Sequence, residues 1–226
     1  MKKKVIVFGD NIYAKMLLED AQKDNEFIIE AFCVDRSYLK GDTFCNKPLL
    51  NFEETIINYP PDKYDMISTV QAPSKMRNIL TVFNRLKTAG YLLRNYISPL
   101  SDVGTDVILG ENNLIFPFAH IGCNGKIGNA NFFNQHVYLA HDANVGNGNF
   151  FAGACTLAGY CHVGNNCFIG INSSVIEHVR ISDETLIGAG SVILKDTNPH
   201  TLYVGNPAKP ISTHEEDGIK MNVWME

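Results

Sequence analysis

The stretch Gly164-Asn165-Asn166-Cys167-Phe168-Ile169-Gly170-Ile171-Asn172-Ser173-Ser174-Val175 decides the reading of the chain. Ile169 and Val175 stand six residues apart, with a small residue, Gly170 and Ser173, one and four places after Ile169. Followed in both directions, the same phase runs from Val103 through Ile121, Leu139, Leu157 and Val175 to Ile193, sixteen positions in steps of six, all apolar. The next residue is Gly, Ala or Ser at twelve of the sixteen. Such a fixed internal period is the mark of a stacked architecture.

A six-residue unit is too short for a helical repeat, and simple alternation in a strand would not leave a small residue at one phase in six. Each unit is therefore one side of a prism, and three sides make an 18-residue coil. Residues 103–193 then span five turns of a β-solenoid whose core exists only where coils stack. Handedness does not follow from the spacing, because the general crossover preference is right-handed. Cys155, Cys161 and Cys167 fall at one inward phase, and without a CxxC spacing their role reads as structural.

Outward from the repeat, composition changes near residue 100. Of the 19 Lys and Arg, 14 precede it, whereas 15 of the 18 Gly follow it. The expected organisation is a small Rossmann-like α/β domain over 1–100, a β-helix over 101–212 and a tail over 213–226. In the first part, residues 5–8, 27–34 and 66–70 read as strands. Ala14, Leu17, Leu18 and Ala21 recur at helical spacing. Ser74 can cap a second helix with Met76, Ile79, Leu80, Phe83 and Leu86 on its apolar face, stopped by Gly90. Strands alternating with helices predict a parallel sheet.

A net charge of −5 lacks the basic footprint of a nucleic-acid binder. Met1-Lys2-Lys3-Lys4 is followed by too short an apolar run for a signal or a membrane span. Six cysteines without a signal point to reduced thiols in the cytoplasm.

Five histidines, His120, His136, His141, His162 and His178, lie in the coils, where corner side chains reach outward; His200 and His214 follow them. Of the five in the coils, only His141 is followed directly by a carboxylate, Asp142. A histidine can take a proton at neutral pH, and a carboxylate beside it can fix its tautomer. The alternative is a surface histidine with a chance neighbour. One coil on, eighteen residues later, Gly159 should lie beside His141, offering a backbone N–H where acyl transfer needs an oxyanion donor.

The quoted stretch, with Leu186-Ile187-Gly188-Ala189-Gly190-Ser191-Val192 and Val204-Gly205-Asn206-Pro207-Ala208-Lys209, resembles the hexapeptide-repeat acyltransferases. Within them it resembles the group of bacterial nucleotide-amino-sugar N-acetyltransferases and sialic acid O-acetyltransferases. The resemblance implies a left-handed β-helix, a homotrimer with active sites between subunits, and acetyl-CoA along the coils, with no metal. It makes His141 the base, Asp142 its acidic partner and Gly159 the donor to the thioester oxygen. Phe150, often His in the family, Ile171, Gly188, Ala189 and Lys209 match coenzyme positions, with Lys195 a further cation for its phosphates. Asn134 matches an acceptor position. The N-terminal domain should hold the nucleotide-linked sugar through the turn containing Asn11, Ile12 and Tyr13 and through Asp35. That turn departs from the family in having one glycine, Gly9, where a phosphate loop uses several.

Three other readings remain open at this stage. A sugar hydroxyl could be the acceptor in place of the amine. A metal enzyme resembling the γ-class carbonic anhydrases would use His136 and His141. A non-catalytic solenoid could bind a nucleotide sugar or assist a partner. Glu215, Glu216, Asp217 and Trp224 in the tail have no assigned role.

Overall fold

The computed structural model describes residues 3–21, 27–70, 75–214 and 218–219. The chain divides into two compact units, Met1–Val70 with Thr81–Arg94, and Gln71–Leu80 with Asn95–Glu226. Residues 75–80 fall in the second unit. Ser74, the tail acids and Trp224 lie outside the described residues.

In the first unit the order is β1 (Lys3–Phe8), α1 (Ile12–Ala21), β2 (Phe27–Val34), β3 (Thr43–Phe44), β4 (Lys47–Asn51), α2 (Phe52–Asn58) and β5 (Asp65–Ser68). The sheet runs β3-β4-β2-β1-β5, with β1 parallel to β2 and β5, and β2 parallel to β4. Val5, Ile6 and Val7 are wholly buried, as a central parallel strand covered on both faces requires. Ala14, Leu17, Leu18 and Ala21 form the buried stripe of α1. The short hairpin of β3 and β4 and the helix α2 were not anticipated, although Asn51 caps α2 through Glu54 N at 2.9 Å. A third helix, α3 (Asn78–Thr88), crosses the division between the units and stops before Gly90, whose φ is +94°.

The second unit is a parallel β-helix. Sixteen two-residue strands recur every six residues from Asp102–Val103 to Val192–Ile193. The first thirteen each pair in parallel with the strand eighteen residues on, as in Tyr138↔Thr156 and Asn144↔His162. They form three sheets. The first face contains Tyr138–Leu139 and Thr156–Leu157, the second Asn144–Val145 and His162–Val163, and the third Phe132–Phe133 and Phe150–Phe151. The second residue of each strand points inward, and from Ile115 to Ile193 none is more than 4% exposed. One large inward side chain contributes about 1.5–3 kcal/mol. Ordering six backbone units costs about 1–2 kcal/mol each, so a single coil cannot stand alone.

The turn chemistry differs from a simple small-residue corner. Three places after fourteen of the sixteen inward residues the backbone is left-handed, as at Asn124, Asp142, Tyr160 and His178 on one edge and at Ala130, Gly148, Asn166 and Glu184 on another. Small residues just after the inward position answer a different need, the closeness of successive coils. A Cβ on Gly146 would lie 2.6 Å from Gly164 O.

The edge between the second and third faces is stitched by two asparagine ladders. Outside, Asn147 and Asn165 accept the N–H of the residue one coil earlier, at 2.8 and 2.9 Å. Inside, Asn131 Oδ1 accepts from Asn149 N at 2.9 Å and Asn149 Oδ1 from Cys167 N at 2.7 Å. In the outward row of the third face Phe132 and Phe150 are also buried, and they stack in series with half-buried Phe168. Residues 75–80 lie along the stitched edge: Arg77 Nε meets Glu184 Oε1 at 2.7 Å, and a Cβ on Gly148 would meet Leu80 Cγ at 2.8 Å. The strands Thr201–Gly205 and Ala208–Thr213 close the third sheet as a hairpin around a cis Asn206–Pro207 bond.

Candidate active site

His141 stands on the edge between the first and second faces. Its Nδ1 lies 2.8 Å from Asp142 Oδ2. A carboxylate only accepts, so in the neutral imidazole Nδ1 carries the proton and Nε2 the lone pair. The left-handed backbone of Asp142, φ +57°, turns its side chain back to the preceding imidazole. The ring extends over Gly159 in the next coil, where an added Cβ would sit 2.7 Å from Cε1 and 2.8 Å from Nε2. Gly159 is therefore the residue that leaves room for the imidazole. Its N–H makes no hydrogen bond among the described residues, unlike the equivalent amides of the stitched edge. His141, Asp142 and Gly159 are thus brought together, with the His141 side chain 52% exposed.

The expected coenzyme residues fall elsewhere on the prism. Ile171, Gly188 and Ala189 share the edge between the third and first faces, where Ile171 is exposed. Asn134 lies on that edge too, buried, its side-chain N–H donating to Phe151 O at 3.1 Å. Phe150 is buried between Phe132 and Phe168, its ring parallel to that of Phe168 at 5.3 Å. Within one chain neither Phe150 nor the Ile171 edge is part of the His141 cluster. Lys195 and Lys209 do converge: both line a cavity of about 390 Å³ with Leu194, Tyr203 and Pro207.

In the first unit, Asn11 is a helix cap. Its Oδ1 accepts from Tyr13 N and Ala14 N at 3.0 Å, and its Nδ2 donates to Thr69 O at 2.9 Å. The amides at the start of α1 are therefore already used by the chain itself. Gly9, φ +125°, is needed because a Cβ there would strike Thr69 Oγ1. Ile12 is exposed. Asp35 pairs with Arg85 at 2.8 Å, and the guanidinium lies 5.0 Å from the Phe8 ring centroid.

The other histidines separate by position. His136 and His178 occupy left-handed corners, stacked on Phe118 and Tyr160. His120 faces outward and pairs with Asp102 at 2.8 Å. His136 and His141 lie on different edges of one chain, and among the described residues no three His, Cys, Asp or Glu side chains converge as a metal set. Cys155, Cys161 and Cys167 are buried, and burial pushes the thiols of Cys155 and Cys167 up to about 12. Tyr160 escaped the sequence reading and His178 was read only as a coil histidine, although the eighteen-residue step that stacks Gly159 on His141 also stacks both on Asp142.

Residues 160–195 match the family model described as bacterial transferase hexapeptide (six repeats). No curated protein sequence matches the chain. Among solved structures it is similar to PerB from Caulobacter crescentus in complex with CoA and GDP-perosamine, at 23% identity and a TM-score of 0.83, covering 92% of this chain and 97% of that one. Forms of that perosamine N-acetyltransferase with a histidine changed to Asn or Ala have also been solved. The acetyltransferase domain of PglB from Neisseria gonorrhoeae, in complex with acetyl coenzyme A, is similar at 19% identity and a TM-score of 0.83, over 93% and 100% of the two chains. WeeI from Acinetobacter baumannii is similar at 23% and 0.82, over 93% and 100%. This chain carries the hexapeptide repeat and shares the fold of these proteins. No helix among the described residues is long and apolar enough to cross a membrane.

Proposed function

We propose that this protein is an acetyl-CoA-dependent acetyltransferase acting on the amino group of a nucleotide-linked amino deoxysugar, with His141 as general base. The observation that carries the reading is the His141 imidazole, tied at Nδ1 to Asp142 and lying with Nε2 over Gly159. The acceptor amine attacks the thioester carbonyl as Nε2 takes its proton, and Asp142 stabilises the imidazolium. The Gly159 N–H donates to the developing oxyanion. The C–N bond forms, the C–S bond breaks, and coenzyme A leaves as the thiol once a proton reaches its sulfur. No covalent enzyme intermediate is needed, and burial of Cys155, Cys161 and Cys167 agrees with that.

In this reading the coenzyme runs along Ile171, Gly188 and Ala189 with Phe150 nearby, and the cavity holding Lys195 and Lys209 takes phosphate charge. Asn134 serves the acceptor, and Asn11, Ile12, Tyr13 and Asp35 serve the nucleotide. The helix is left-handed and the protein a homotrimer, so that edges separated within one chain meet between subunits. Exposed Phe118, Tyr138 and Ile176 on the first face and its edges supply apolar surface for that contact. The reading places the protein in the cytoplasm, where six unpaired cysteines stay reduced.

The test is release of free thiol from acetyl-CoA with nucleotide-linked 4-amino and 3-amino deoxysugars, for wild type and His141→Ala. Turnover on an amino sugar, lowered about 100-fold or more in the variant, is expected. Reaction only with hydroxyl acceptors would replace N- by O-acetylation, and failure to bind acetyl-CoA would end the reading.

A further inference from the structure

His141 is confined on three sides, and Asp142 and Gly159 account for two. The third is Tyr160, whose ring stands edge-on to the imidazole, with centroids 5.1 Å apart and planes at 89°. The Tyr160 N–H also donates to His141 O at 3.1 Å. Tyr160 in turn lies flat against His178, with centroids 4.8 Å apart and planes 1° from parallel.

Local preference and burial both fail to explain this ring. Tyr160 has φ +60° and His178 φ +63°, a conformation that bulky L-residues avoid and that Asn adopts at the equivalent corners 124, 166 and 172. With 45% of its surface exposed, Tyr160 fills no core. Its aromatic contacts among the described residues are the imidazole of His141 and that of His178, so a conformationally costly residue is held where it touches the candidate base.

Resting on the acetyl-transfer reading, we propose that Tyr160, braced by His178, is a positioning residue for His141. The hydrogen bond to Asp142 does not fix the imidazole by itself, because the two residues are adjacent and their side chains can swing together. The perpendicular ring blocks the swing that would carry Nε2 away from Gly159. Aromatic edge contacts are strong enough to bias such a rotamer, and small displacements of a base are expensive in rate.

The discriminating variant is Tyr160→Asn, because Asn suits the left-handed corner. It is expected to keep the wild-type thermal midpoint or raise it, and to keep the wild-type mass in solution. Its kcat should fall about tenfold with little change in KM for acetyl-CoA. Tyr160→Phe, which retains the ring, should recover most of the rate, and His178→Asn should fall between. Imidazole 15N and 13C NMR signals of His141, read without substrate, should report a single ring environment in wild type and Tyr160→Phe, and exchange between environments in Tyr160→Asn. Unchanged kcat and unchanged imidazole signals in Tyr160→Asn would overturn the proposal, and so would loss of the assembled mass, which would make the ring an interface contact. If wild type turns over no acceptor, the acetyl-transfer reading fails, while the NMR comparison still decides whether Tyr160 holds the ring.

Discussion

Two edges of the same prism use the same six-residue backbone in opposite ways. On the stitched edge, the N–H groups of Asn129 and Asn147 are each taken by an asparagine side chain in the next coil. On the His141 edge the corresponding position is His141 in one coil and Gly159 in the next, and neither amide makes a hydrogen bond among the described residues. The stitched edge spends its side chains on holding coils together. The other spends them on an imidazole, a carboxylate and an open N–H. Stability and chemistry can be divided this way because each coil is anchored by its inward row, so one edge can be left unstitched without loss of register.

Gly159→Ala tests the open edge most severely. The backbone there is not left-handed, so alanine can adopt it, but its Cβ would occupy the place of the His141 ring. The expected result is a kcat about 100-fold lower with an unchanged thermal midpoint. Wild-type kcat in this variant would mean that the imidazole has no need of the space over residue 159.

Asn149→Ala tests the stitched edge. It strands the Cys167 N–H and the Gly164 carbonyl, both of which Asn149 now satisfies. Losing one buried and one part-buried partner costs about 2–5 kcal/mol, which lowers the melting midpoint by roughly 5–15 °C. Activity measured well below that midpoint should be retained, and a variant that loses activity but not stability would erase the contrast between the edges.

The smallest effect is expected at the top of the stitched edge, where the Arg77–Glu184 pair lies near His200 and His214. Burial lowers the pKa of His214 below 6.5, His200 adds to the lowering, and Glu184 opposes it. The folded chain then binds fewer protons at this site than the unfolded chain, so its contribution is present above pH 6.5 and is lost as pH falls through the lowered value. Denaturant midpoints at pH 7 and pH 5 should differ more for wild type than for His214→Gln. Equal differences would remove His214 from the account.

Much of this contrast is legible in the residues, though not all of it was read. The step of eighteen that follows from six-residue sides placed Gly159 beside His141 before any coordinates. The same step runs through Asn113, Asn131 and Asn149, and through Asn129, Asn147 and Asn165, yet asparagines read singly look like turn residues. Their ladder role depends on each Oδ1 reaching an amide one coil away, which spacing permits but does not require. The burial of Phe150 was also hidden, because an outward-facing phenylalanine reads as exposed until something covers its face.

By itself the sequence determined the coil. Inward residues at every sixth place, with small residues between them, leave one way to bury apolar surface, and that periodic constraint needs no knowledge of distant contacts. It also determined that a histidine and a carboxylate would share an edge with a glycine in the next coil. Only the tertiary structure decided that Asn11 closes the start of α1, that residues 75–80 lie on the stitched edge, and that Tyr160, backed by His178, stands against the base. Those outcomes rest on contacts between segments far apart in the chain or on the direction a side chain takes from a left-handed corner, and neither quantity is carried by a local pattern.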